Sequence, residues 1–275
     1  MASSIRPEAA STSAPSTPAS SASFIFDRIV CGIEESPLSL EAVRQARSVL
    51  APDGRLHLVA VAEAAPAVRG GWAAYRLDKG VEARARAALE RAGSYAGGGT
   101  SRLVEGDPVS GLLDEIEREQ ATLAVLGSHG GGYVAGLLLG ETTTVLLHDA
   151  PCSVLLARAP GRLGDGFPQS IVVGVDGSSP SRRALDVGRE LSDRLGVPLR
   201  ALAASGGKPV RWEGLREIED LQWTEQGPVP GLVEASAGAD LLVAGSRGLH
   251  GLAALGSVGE RVAHRAHCSM LIVRE

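Results

Sequence analysis

Short apolar runs alternate with longer stretches of helical periodicity along most of the chain. The run RIVCGI at 28–33 is apolar without alternation, the pattern of a strand buried on both faces. It is followed by SPLSLEAVRQARSVL, in which Ser36 stands as a helix cap and Pro37 at the first helical position. RLHLVAVA is the next strand. In LDKGVEARARAALERAGSYA, Val81, Ala85, Ala88, Leu89 and Ala92 then recur at helical spacing against a charged face. SRLVEG, the helix PVSGLLDEIERE, the strand TLAVLG, a helix from about Thr142 to His148 and the run SVLLAR complete the set. Strand–helix alternation with continuous apolar strands predicts an α/β fold, a doubly wound and mainly parallel sheet covered on both faces. Right-handed crossovers then place the strand-to-helix loops on one edge of that sheet.

The same pattern runs twice. LAVLGSHGG matches LLVAGSRGL, HDAPCSVLLAR matches HRAHCSMLIVR, and RIVCGIEESPLSLEAV parallels SIVVGVDGSSPSRRAL. The expected organisation is a tail over 1–23, a first domain over 24–158, a turn-rich linker over 159–169 and a second domain over 170–275. Glu34 aligns with Asp176 at an offset of 142 and Gly127 with Gly245 at an offset of 118, so the second copy is shorter. The loss amounts to about one helix with its connection: SGGKPVRWEGLREI is too short and too broken to replace the helix of the first copy. The closing runs SVLLAR and SMLIVR leave open apolar edges and are expected to pack the two copies together as a pseudo-twofold pair.

Composition narrows the function classes. A net charge of −5 over 275 residues does not support a nucleic-acid-coating surface. Cys31, Cys152 and Cys268 sit in apolar surroundings, outside any metal-binding or redox spacing, and are expected to be reduced packing residues. No apolar run has the ~20 residues of a membrane span. The opening MASSIRPEAASTSAPSTPASSAS lacks the apolar centre of a signal peptide and reads as a disordered tail on a cytoplasmic protein.

The stretch GSHGGGYVAGLLLGET at 127–142 is where chemistry is expected. In an open parallel sheet, ligands bind beyond the carboxyl ends of the strands near the point where strand order reverses. This loop leaves such a strand and runs into a helix N-terminus, whose unpaired N–H groups favour a phosphate. Glycine there serves either close backbone approach to a ligand or tight helix–strand packing. Spacing alone leaves both open, because the loop is neither G-x-G-x-x-G nor a phosphate loop ending in G-K-[ST].

GVDGS, GSRG and LGSVGERVAHRAHCSMLIVRE together resemble the universal stress protein family, in the tandem form common in actinobacteria. The resemblance implies two flavodoxin-like, five-stranded domains, and a dimer contact made by the last strand. In a subset of the family it implies ATP, held by a G-x2-G-x9-G-[ST] loop and an Asp at the end of the first strand. Copy one keeps the spacing with Gly127, Gly130 and Gly140. It has Glu34 in place of the Asp and Glu141 in place of the hydroxyl residue, with Thr142 one step on. A carboxylate 4 Å from a phosphate charge costs about 4 kcal/mol at an effective dielectric near 20, unless Mg²⁺ lies between them. Copy two keeps the side chains Asp176, Gly245, Arg247, Gly248, Gly256 and Ser257, but separates Gly248 from Gly256 by only the seven residues LHGLAAL.

The resemblance therefore points to an ATP-binding stress-response regulator acting through nucleotide-dependent or partner contacts. The competing reading is a protein-interaction module of the same fold with degenerate loops. An enzyme is not expected, because no base, Lys/His cluster or metal set recurs. His148, His264 and His267 read as helix-end or surface residues, with His129 facing solvent or phosphate. Ser128 and Ser246 follow glycines without the G-x-S-x-G of a nucleophile turn. Trp72, Trp212 and Trp223 read as packing or lid residues. The expected partners are an adenine nucleotide, the other half of the chain or a second copy of it, and a protein partner, with neither nucleic acid nor membrane among them.

Overall fold

A computed structural model describes residues 25–63, 65–69, 72–76, 79–128, 139–159, 166–207, 215–218, 220–246 and 257–274. The first half runs β1 (Arg28–Ile33), α1 (Pro37–Val49), β2 (Arg55–Glu63), β3 (Ala65–Arg69), β4 (Trp72–Arg76), α2 (Lys79–Ala96), β5 (Thr100–Gly106), α3 (Pro108–Arg118), β6 (Leu123–Gly127), α4 (Glu141–Asp149) and β7 (Ser153–Ala157). The second runs β8 (Ile171–Val175), α5 (Ser179–Leu195), β9 (Leu199–Ala204), β10 (Leu221–Thr224), α6 (Pro228–Ser236), β11 (Leu241–Gly245), α7 (Val258–Ala263) and β12 (Ser269–Val273). The α/β alternation expected from the apolar runs is present throughout. The hairpin β3–β4 was not expected. Gly70-Gly71 between the runs APAVR and WAAYR is its signal in the sequence, a two-residue hairpin connection.

All strands but this hairpin form one ten-stranded sheet in the order β10-β9-β8-β11-β12-β7-β6-β1-β2-β5. Pairing is parallel within each half and antiparallel only between β7 and β12. One face is covered by α1, α2 and α5, the other by α3, α4, α6 and α7, each over a continuous apolar core. Among the described residues no helix lies between β9 and β10, where the first half has α2. Leu215, 1% exposed, is buried in that core instead, with Ile218 packed beside it. Burial of one leucine contributes about 2 kcal/mol, a fraction of what a packed helix supplies.

The strands expected to bring the copies together do pair. Leu155 faces Leu271, and these are equivalent residues of the repeat, so the join is self-complementary. An arginine crosses it from each side. Arg158 Nε donates to Ser128 Oγ at 3.0 Å, and its guanidinium reaches the carbonyls of Ala263 and Ala266 at the end of α7. Arg274, its counterpart, donates to Leu147 O in α4 at 2.6 Å. The backbone N–H of Arg158 donates to Ser269 Oγ at 3.0 Å, and that of Arg274 to Ser153 Oγ at 3.2 Å. Each half therefore finishes the other's last helix, supplying a cation where orphan carbonyls collect. Both guanidiniums are buried, and burial draws their pKa below the ordinary arginine value.

Arg158→Met keeps the apolar stem but leaves the α7 carbonyls without their donor. It should cost about 2–3 kcal/mol in urea unfolding, the price of losing charged hydrogen bonds. Exposed Arg261→Met should stay within about 0.5 kcal/mol of wild type.

Candidate functional site

In each half the chain leaves its first strand toward one side of the sheet and its fourth toward the other. The order reverses between β1 and β6, and between β8 and β11. The carboxyl ends of those strands carry Glu34 and Gly127 in the first half, Asp176 and Gly245 in the second.

At the second of these points lies a cavity of about 510 Å³. Its floor is apolar, built from Val175, Leu202, Ala204, Leu232, Ala244 and Ile272. Asp176, Gly245, Ser246 and Ser257 also line it. The volume lies within the range of small-molecule sites, ~300–1,000 Å³, and an apolar box with a few converging polar groups is their usual composition.

Local sequence explains how these groups are held. Asp176 Oδ1 accepts from Ser178 N at 3.0 Å and Ser178 Oγ at 2.5 Å, while Ser181 Oγ accepts from Asp176 N at 3.3 Å. The carboxylate thus fixes the turn into α5 as well as lining the cavity. Gly245 answers the question left open by spacing. A Cβ there would overlap the Pro180 carbonyl and come within 2.9 Å of Ser181 N, so this glycine is required by packing against the start of α5. Ser257 caps α7 by accepting from Glu260 N at 3.1 Å, which leaves its hydroxyl hydrogen available.

The first half repeats the turn with a different side chain. Ser39 Oγ accepts from Glu34 N at 2.8 Å, and Glu34 Oε1 accepts from Ser36 Oγ at 2.8 Å. Gly127 packs on Leu38 of α1, where an added Cβ would lie 3.1 Å from Leu38 Cβ. Gly140 caps α4, Glu141 begins it exposed, and Thr142 follows half-buried. Gly130, His129, Arg247, Gly248, Gly256 and Trp212 lie outside the described residues.

Ser128 is buried as the acceptor for Arg158, which gives it a structural task. Trp72 lies in β4, and Trp223 is exposed on the edge strand β10. The cysteines are free and buried, with burial pushing Cys31 up to about 12 and Cys152 up to about 11, so neither is a ready nucleophile. His148 keeps the helix-end position expected of it but is not on the surface. It sits in the last turn of α4, but it is buried and lines the cavity of the other half. That role was unreadable from its neighbours in sequence, because it depends on how the two halves meet.

At the opposite ends of the strands, His57, Glu115 and Glu119 place ligand atoms within 4.8 Å of one another. Glu115 accepts from Arg118 at 2.5 Å and pairs with Arg102 at 3.3 Å, so its charge is already matched. Burial pushes the Glu115 carboxyl up, but hydrogen bonds from Arg118 and His57 and the charges of Arg118 and Arg102 outweigh it, holding the group below the ordinary glutamate value.

The sequence profile of the Universal stress protein family matches residues 25–158 and 210–274. Among curated proteins, no sequence matches. A universal stress protein from Archaeoglobus fulgidus DSM 4304 shares 18% identity over 92% of this chain and 98% of its own, with a TM-score of 0.71. A provisional universal stress protein from Pseudomonas aeruginosa UCBPP-PA14 shares 17% over 90% and 93%, with a TM-score of 0.64. A universal stress protein solved in complex with cAMP shares 23% identity over 49% of this chain and 98% of its own, with a TM-score of 0.39. The first two likenesses establish the fold across both halves. Among the described residues no helix is long and apolar enough to cross a membrane.

Gly245→Ala should cost about 1–3 kcal/mol as an overpacked contact, and Gly127→Ala less, because an added Cβ would lie 3.1 Å from its nearest neighbour there but would overlap the Pro180 carbonyl oxygen at Gly245. Thermal melts of the two variants test the order. For Glu115, a depressed folded pKa means stabilisation that is present above the unfolded value of ~4.3 and lost as pH falls through the folded one. Unfolding across that acid range should show wild type losing stability more steeply than Glu115→Gln.

Proposed function

The chain belongs to the universal stress protein family, and we propose that its second half binds an adenine nucleotide at the β8/β11 crevice, acting as a stress-response regulator through occupancy rather than turnover. The observation that carries this reading is a cavity lined by Asp176, Ser246 and Ser257 together with the apolar side chains of Leu202, Ala204, Leu232 and Ile272. A flat base suits the floor of Leu202, Ala204 and Ile272. The Asp176 carboxylate is placed to accept from ribose hydroxyls, and the serine hydroxyls to donate to phosphate oxygens. The first half has Glu34 where the second has Asp176, but it has Glu141 where the second has Ser257, an exposed carboxylate in place of a hydroxyl that repels a phosphate chain. The nucleotide is therefore assigned to the second half alone. That a universal stress protein has been solved with cAMP accords with a nucleotide ligand.

The alternative, an interaction module without nucleotide, draws on Gly245 and Asp176 both having structural tasks. Joining of the two halves through β7 and β12 would then supply the functional surface by itself.

Calorimetric titration with Mg²⁺-ATP separates the two. Wild type should bind, and Ala204→Phe, which fills the floor, should weaken binding roughly tenfold or more, equivalent to about 1.4 kcal/mol. Absence of binding by wild type, together with no adenine nucleotide released on denaturing the purified protein, would overturn the nucleotide reading and favour the interaction module.

A further inference from the structure

The cavity of the second half is not made by the second half alone. Leu147 and His148, from the last turn of α4 in the first half, form part of its wall. The His148 side chain is 10% exposed. Its Nε2 lies 3.5 Å from Glu260 Oε1, close enough for charge attraction, yet it is not placed as a hydrogen bond and has no hydrogen-bond partner among the described residues. A buried polar atom left in that state costs about 1–3 kcal/mol, and native proteins leave few of them. Such an atom on the wall of a ligand-sized cavity marks the place of a missing partner.

The neighbour decides which kind of partner is missing. A carboxylate oxygen 3.5 Å from Nε2 favours the imidazole form that carries a proton on that nitrogen, so the atom is a donor and the ligand must bring an acceptor. Ser257 and Glu260, which begin α7, line the same cavity, and the Ser257 hydroxyl is the group assigned above to a phosphate oxygen. We infer that His148 Nε2 donates to a phosphate oxygen of the nucleotide, so that the first half supplies a binding residue to the second half's site. This rests on the nucleotide reading above, and it adds that the ligand spans the join between the halves.

The test compares ATP with adenosine on wild type, His148→Phe and His148→Gln. His148→Phe should weaken ATP about tenfold, as the loss of one charge-assisted hydrogen bond, and adenosine less than about twofold. His148→Gln, which keeps an N–H donor, should recover part of the ATP affinity. Equal losses for both ligands would mean that His148 only shapes the wall, and unchanged ATP affinity would remove it from the site; either overturns the inference while leaving the nucleotide reading intact. Wild type binding neither ligand overturns both. If His148→Phe does not fold, the imidazole ¹⁵N resonances of intact protein decide: a His148 shift with ATP but not with adenosine is expected, and equal shifts or none refute it.

Discussion

Two guanidiniums in a low-dielectric interior need compensation, and here it comes from helix carbonyls. Arg158 and Arg274 each leave the end of one half's last strand and finish the last helix of the other. The antiparallel pairing of β7 with β12 sets the distance at which they can do so. Separating the halves would strand both cations away from their acceptors and expose two apolar strand edges at once. The single ten-stranded sheet, the shared cores on its faces and the placement of His148 against Glu260 all follow from that join.

The crevice shows how one residue can satisfy packing and present chemistry together. Asp176 closes the turn into α5 with Ser178 while its carboxylate lines the cavity. Gly245 lets the start of α5 approach the end of β11, and that approach brings Asp176 and Ser246 to the same rim. Glu34 makes the corresponding turn in the first half, so the backbone tolerates either carboxylate. What differs between the halves is side-chain reach and charge, on nearly the same frame.

Much of this was legible in the sequence because it is local. The apolar runs placed the strands, Ser36 with Pro37 marked a helix start, and the duplicated LAVLGS and LLVAGS placed the crevices. Non-local features escaped. Leu202 and Ile272 are ordinary strand residues until the sheet order makes them walls of one cavity, and Leu215 is an isolated leucine until the fold buries it in the core. The arginines ending SVLLAR and SMLIVR read as strand-end charges, since nothing nearby in sequence shows that they cross to the other copy. His148 read correctly as a helix-end residue, but its burial against the other half escaped for the same reason.

The face-to-face placement of Leu155 and Leu271 has an evolutionary consequence. A strand that pairs with its own duplicate can hold two separate chains together as well as two copies in one chain. In separate chains, any substitution appears at both crevices; once the copies share a chain, each crevice changes alone. Glu141 and Ser257 record that freedom: one copy could acquire charge at the mouth of its crevice while the other kept a hydroxyl, with no cost to the strand that joins them.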